Sequence, residues 1–189
     1  MGPGAIAAAL IALMLGSAVQ SVAGFGMNLL AVPVLLLVGA NDLVPAALLV
    51  VLIFQSLGMA VRDRGHPDTR LLTWFLPVRL VGTAVGAFLS SHLSSDATVI
   101  LICSLVLMAV AMSVRGWRVR PTPISWMVTG FASGFSNVLS SIGGPPLALA
   151  MVDHSPKAQR ATQGWSGMVG SIMSLSLLAT AGNLSLIHI

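Results

Sequence analysis

Few residues in this chain carry chemistry that an apolar setting would sharpen, and Arg79 is foremost among them. It lies eight residues beyond Leu71, inside an apolar stretch, and no Asp or Glu occurs in any apolar stretch of the chain. At 1.5 Å per residue it sits ~12 Å from the end of that stretch. Without a partner, a charge at such depth costs at least ~2.5 kcal/mol. An arriving anion is a fitting partner for a rigid fork of donors. Polar side chains gather at two further places, Gln20 with Ser21 and Asn137 with Ser140 and Ser141. Each group adjoins glycines, Gly24 and Gly26 in the first case, Gly143 and Gly144 in the second, where Pro145 and Pro146 follow. Amides and hydroxyls there would donate hydrogen bonds to an anion. The plainer reading is that these side chains bond between helices while the glycines permit close packing. For Arg79 the plainer reading is that Pro77 starts the true span and the guanidinium lies at the surface. The residues alone leave both open.

The elements that must position these groups are interrupted helices. Gly143-Gly144 forms helix poorly, and Pro145-Pro146 removes two backbone donors. A helix entering from Ser133 should therefore break near Ile142 to Gly144 and restart at the prolines, which suit a first helical turn. The N-terminus of such a restarted helix presents free N–H groups and the positive end of its dipole, which favours an anion. Gln20-Ser21-Val22-Ala23-Gly24-Phe25-Gly26 aligns with Asn137-Val138-Leu139-Ser140-Ser141-Ile142-Gly143 at a constant offset of 117. The shared pattern is amide, two variable residues, two small residues, a large apolar residue and glycine. That offset predicts a repeat with one break in each half.

Composition places the breaks in a membrane. Hydrophobic residues make up 56% of the 189 and charged residues 7%, with no Glu and no Tyr; the mean hydropathy is +0.96. Ordinary soluble domains carry about a quarter charged residues. The pI of 11.2 reflects Lys and Arg in short loops, which the positive-inside tendency explains without nucleic acid. Six apolar segments follow in order: Gly4 to Gly39 with its break at Ala23 to Gly26, Leu43 to Val61, Leu71 to Ser91, Thr98 to Val114, Ile124 to Val152 and Thr162 to Ala181. The loops Arg62 to Arg70 and Arg115 to Arg120 mark the cytoplasmic side, with Trp117 as an interfacial anchor. Strict alternation would place Asp153 to Arg160 outside, yet Lys157 and Arg160 favour the cytoplasm. A fifth segment that dips in and returns to its own side would reconcile the two. The expected fold is all-α and polytopic, with residues 1–117 forming a first repeat and 118–183 the start of a second. The codons that can encode Leu184 to Ile189 match a transposon-end adapter, which predicts a non-native tail over 184–189 and a fragment lacking ~50 residues of its second repeat.

These residues resemble the TauE/SafE-type sulfite exporter family, also called the toluene-sulfonate uptake permease family. The resemblance is carried by Gly24-Phe25-Gly26-Met27-Asn28-Leu29-Leu30-Ala31-Val32-Pro33. It is also carried by Gly130-Phe131-Ala132-Ser133-Gly134 through Ile142-Gly143-Gly144-Pro145-Pro146-Leu147. Met27-Asn28 stands where further glycines are common in the first signature. The resemblance implies a multi-pass transporter of the bacterial cytoplasmic (inner) membrane that moves sulfite, sulfonates or related organic anions, without a cofactor. Gln20, Ser21, Gly24, Gly26, Arg79, Asn137, Ser140, Ser141, Gly143, Gly144 and Pro145 are then the expected substrate-binding residues, facing a midplane cavity used by alternating access. The competing class is a membrane scaffold or subunit whose breaks serve packing only.

Other motifs carry less. Gly164-Trp165-Ser166-Gly167 has the form of an intramembrane serine-protease motif, but His66, His92 and His154 all fall in loops and supply no general base. Helix packing through Gly164, Gly167 and Gly170 is the preferred reading, and no enzyme is expected. The histidines lack metal-ligand spacing, and cation uptake is disfavoured for want of a carboxylate at depth. Cys103, alone in an apolar run, is expected to be buried.

Overall fold

A computed structural model describes residues 2–40, 46–64, 66–115 and 120–180. Among them are eight helices and no strand: α1 (Pro3–Ala23), α2 (Met27–Leu37), α3 (Ala46–Arg62), α4 (Thr69–Ser90), α5 (Ser95–Val114), α6 (Pro123–Ser140), α7 (Gly144–Ala150) and α8 (Pro156–Thr180). The anchor Trp117 and the tail 184–189 lie outside the described residues. Local chemistry sets the helix ends. Pro3 occupies the first turn of α1, and Gly24, at φ 88°, closes it by donating its N–H to the Gln20 carbonyl. The Asp68 carboxylate accepts from Leu71 N at 2.9 Å to cap α4. Thr122 and Ser125 form a capping box on α6.

The bundle exposes large apolar side chains and buries many polar ones within its apolar core. Met14, Val22, Phe54 and Phe88 are exposed, whereas Ser133, Ser140, Thr162, Ser166, Ser171 and Ser174 are fully buried. Such a surface suits hydrocarbon rather than water. By length and composition α1 and α4 can each cross a membrane, since 21 or 22 residues rise about 30 Å. Cys103 is exposed on α5 rather than buried; α5 meets the core through Leu101 and Leu105 instead.

Glycines bring the inner helices into backbone contact. A Cβ on Gly130 would stand 2.5 Å from the Phe75 carbonyl oxygen, and one on Gly134 or Gly82 would overlap the carbonyl oxygens of Arg79 or Phe131. These pairings advance together along both chains, so α4 and α6 run parallel. On the other side of the interior, Gly164 lies against α3, its Cβ position 2.7 Å from Ala60 N. This is the small-residue packing of membrane helices.

Both interrupted segments are hairpins. Trp126 in the first turn of α6 shares a cluster with Leu71 and Phe75 of α4 and with Leu147, Ala150 and Met151 around α7. The chain thus returns along α7 to the end from which α6 entered. Residues 124–152 therefore run out along α6 and back along α7. His154 Nε2 then meets Asp68 Oδ2 at 3.0 Å, and Arg160 Nε meets Asp63 Oδ2 at 2.9 Å, so α3, α4, α7 and α8 share one charged end. At the same end Arg62 Nη2 donates to the Ser21 carbonyl at 2.7 Å, near the close of α1. The α1–α2 hairpin therefore points its tip toward the charged end, with α2 folding back so that Ala31, Val32 and Leu35 pack beside Ala9 and Leu13. The two hairpins enter from opposite ends.

Gly134→Ala should lower the thermal midpoint of the purified protein by an amount equivalent to ~1–3 kcal/mol. Gly58→Ala, whose Cβ would meet nothing within 4 Å, should leave the midpoint unchanged; equal melting of the two variants would refute the close α4–α6 contact. A second expectation concerns Asp63, which is 8% exposed and whose carboxyl is held below its ordinary value of 3.8 first by the hydrogen bond from Arg160. A depressed carboxylate stabilises the fold above its unfolded pKa and loses that contribution as pH falls through the folded value. Asp63→Asn should therefore melt below the wild type at neutral pH, and the two curves should converge only in strong acid.

Candidate functional site

The hairpin tips meet inside the bundle. Asn28 Nδ2 donates to the Ser141 carbonyl at 2.6 Å, and a Cβ on Gly144 would stand 2.5 Å from Phe25 Cβ. Gln163 of α8 ties the tips together, donating Nε2 to the Gly144 carbonyl at 3.1 Å while its stem lies against Gly24. Between the tips, α3, α4 and α8 surround a cavity of about 30 Å³, room for roughly two waters.

The second break differs in detail from the expectation. Ser141, not a glycine, takes the left-handed turn, at φ 58°. Gly143 has an ordinary φ of −97°; its bare Cα is needed because a Cβ there would stand 2.9 Å from Asn137 Oδ1 and 3.0 Å from Arg79 Nη2. In the first break the glycines do carry the turn, since Gly26 has φ 122°.

Arg79 is 2% exposed, well inside α4 with Pro77 two residues before it within the same helix. The surface alternative for it is therefore excluded. Its guanidinium lies over the Phe75 ring, Cζ 5.8 Å from the centroid, and against Gly170, where any Cβ would overlap it. Its Nε has no hydrogen-bond partner, and among the described residues no ion pair reaches it. Its charge thus faces the cavity without an ion-pair partner among the described residues.

Of the expected site residues, Gln20, Gly24, Gly26, Arg79, Asn137, Ser141, Gly143, Gly144 and Pro145 line this one cavity. Ser21 and Ser140 do not. Their hydroxyls turn back onto their own helices, donating to Ser17 O and Ser136 O at 2.8 Å each, the ordinary fate of a serine in a helix. Part of the expected set of free N–H groups at the restarted helices is taken up or missing. Met27 N of α2 donates to Gln20 Oε1 at 3.1 Å, and prolines fill the first turn of α7. Asn28, Ser56, Gln163 and Ser166 join the lining without having been expected there. The signal available was a polar residue isolated in an apolar run. Ser166 belongs to the protease-like motif. Gly164 and Gly167 of that motif do pack on α3, the Gly167 Cβ position lying 2.6 Å from Ser56 Oγ, while Gly170 makes room for Arg79.

The chain matches the description "Sulfite exporter TauE/SafE" over residues 8–189. It belongs to the sulfite exporter TauE/SafE family. That is a family of membrane proteins whose name denotes transport rather than catalysis. No curated protein and no solved structure matches the chain. For a TauE/SafE protein, a buried guanidinium between two hairpin tips is a chemically apt feature, because an unpaired interior charge calls for a counter-ion.

Gly170→Ala should leave the protein folded, since the displaced group is the free end of a long side chain, yet weaken any anion-dependent rise in thermal midpoint. An undiminished anion response would refute the cradle.

Proposed function

We propose that this protein is a secondary transporter of a small anion of the sulfite or sulfonate class in a bacterial inner membrane. Transport would proceed by alternating access at the cavity between the α1–α2 and α6–α7 hairpins. The carrying observation is the buried Arg79 guanidinium, facing a cavity with no ion-pair partner among the described residues. An anion entering the cavity neutralises it; on leaving, it restores the cost of an unpaired interior charge, so the charge favours occupancy without fixing a direction. Two hairpins entering from opposite ends fit an inverted-topology repeat, whose halves exchange roles as the site opens to one side and then the other. The sequence offset of 117 between the breaks supports the same reading, with residues 1–117 as one repeat and 118–183 as the start of the next. The direction of transport follows from the coupling, not from this charge.

Arg79→Gln should abolish sulfite counterflow in proteoliposomes at normal protein abundance. Arg79→Lys should retain a reduced rate, since an ammonium keeps the charge but loses the planar fork. Unchanged flux in Arg79→Gln would sink the proposal.

A further inference from the structure

The cavity carries acceptors that a simple anion would leave unused. Asn28 and Asn137 are 4% and 0% exposed, and the Oδ1 atom of each lacks a hydrogen-bond partner. Their orientations are set by the other arm of each amide. Asn28 Nδ2 donates to the Ser141 carbonyl at 2.6 Å. Asn137 Nδ2 donates to Ser174 Oγ at 2.9 Å and lies 3.4 Å from the Gly170 carbonyl oxygen. Flipping Asn28 would set its oxygen against the Ser141 carbonyl oxygen, which holds its Oδ1 as an acceptor; Asn137 is oriented by the 3.4 Å contact with the Gly170 carbonyl oxygen, since the Ser174 hydroxyl can donate as well as accept. The point where Gly143 would carry a Cβ lies 2.9 Å from Asn137 Oδ1 and 3.0 Å from Arg79 Nη2. A cationic donor and a neutral acceptor therefore converge beside the same bare backbone.

Building on the anion reading above, we propose that the site selects a singly charged oxyanion that carries its own hydrogen-bond donor. Arg79 takes the charged oxygens, and Asn137 Oδ1 accepts from the substrate's hydroxyl. A dianion with acceptor oxygens only would set a lone pair against Asn137 Oδ1 and bring two charges to one guanidinium. Among the described residues of the lining, Arg79 alone is charged; Asp63, Asp68, His154 and Arg160 stand at the charged end, outside it. A site that pairs with a substrate hydroxyl discriminates strongly against the analogue lacking it, because its own buried group is then left unpaired.

The test compares hydroxymethanesulfonate, methanesulfonate and sulfate at one pH, by calorimetric titration of the purified full chain in detergent. The first two carry equal charge and differ by the hydroxyl. Hydroxymethanesulfonate should bind about tenfold tighter than methanesulfonate, and sulfate should bind weakest. Asn137→Leu should bring the two sulfonates to equal affinity while both still depend on Arg79. Equal affinities in the wild type overturn the donor selection, a comparison that needs no variant to fold; if Arg79→Gln still abolishes binding, the anion reading stands. If no anion binds in an Arg79-dependent way, both fall.

Discussion

Backbone contact between α4 and α6 governs the interior. Gly82, Gly130 and Gly134 let the two helices touch through carbonyl oxygens rather than side chains, which draws α4 inward and carries Arg79 to full burial. Larger residues at those positions would hold the helices apart and leave the guanidinium room to reach a surface. Gly170 completes the enclosure on the α8 side. The cost of burying an unpaired charge, several kcal/mol by general estimates, is thus imposed by the same contacts that stabilise the bundle. Such a conflict between stability and local comfort is characteristic of a functional position.

Interrupted helices bring polar backbone into the bundle, and side chains satisfy several of its groups. Gln20 accepts from Met27, Asn28 donates to Ser141, and Gln163 donates to Gly144. Three amides, one from α1, one from α2 and one from α8, therefore hold the two tips in place. Non-helical backbone at membrane depth is tolerable on these terms, enclosed by protein and bordering a polar cavity. The Asp63–Arg160 ion pair and the Asp68–His154 hydrogen bond tether the charged ends of α3 and α4 to α8 and to the turn that precedes it.

Much of this was legible in the chain. Membrane class followed from composition, and both breaks were readable from glycines and prolines, because those residues act through local backbone geometry. Lys157 and Arg160 lie at the end where Asp63 and Asp68 stand, which fits the return of residues 144–150 along α7. Ser21 and Ser140 misled for an opposite reason. A serine in a helix satisfies itself one turn back, and no pattern of spacing reveals whether it does so. Ser166 was hidden because its motif suggests catalysis, and the absence of a base removes the motif from attention along with the reaction.

The sequence by itself determined where helices stop, which surfaces are apolar and that Arg79 has no carboxylate neighbour along its span. Those properties depend on residues within a few turns of one another. Only the tertiary structure decided that the tips meet, that Gly143 and Gly170 leave space for one guanidinium, and that two asparagine oxygens remain unpaired in the cavity it faces. Asn28 and Asn137 are more than a hundred positions apart, and Gly170 adjoins neither in the chain. Their convergence depends on helix depth and rotation, which close packing sets and no local pattern encodes.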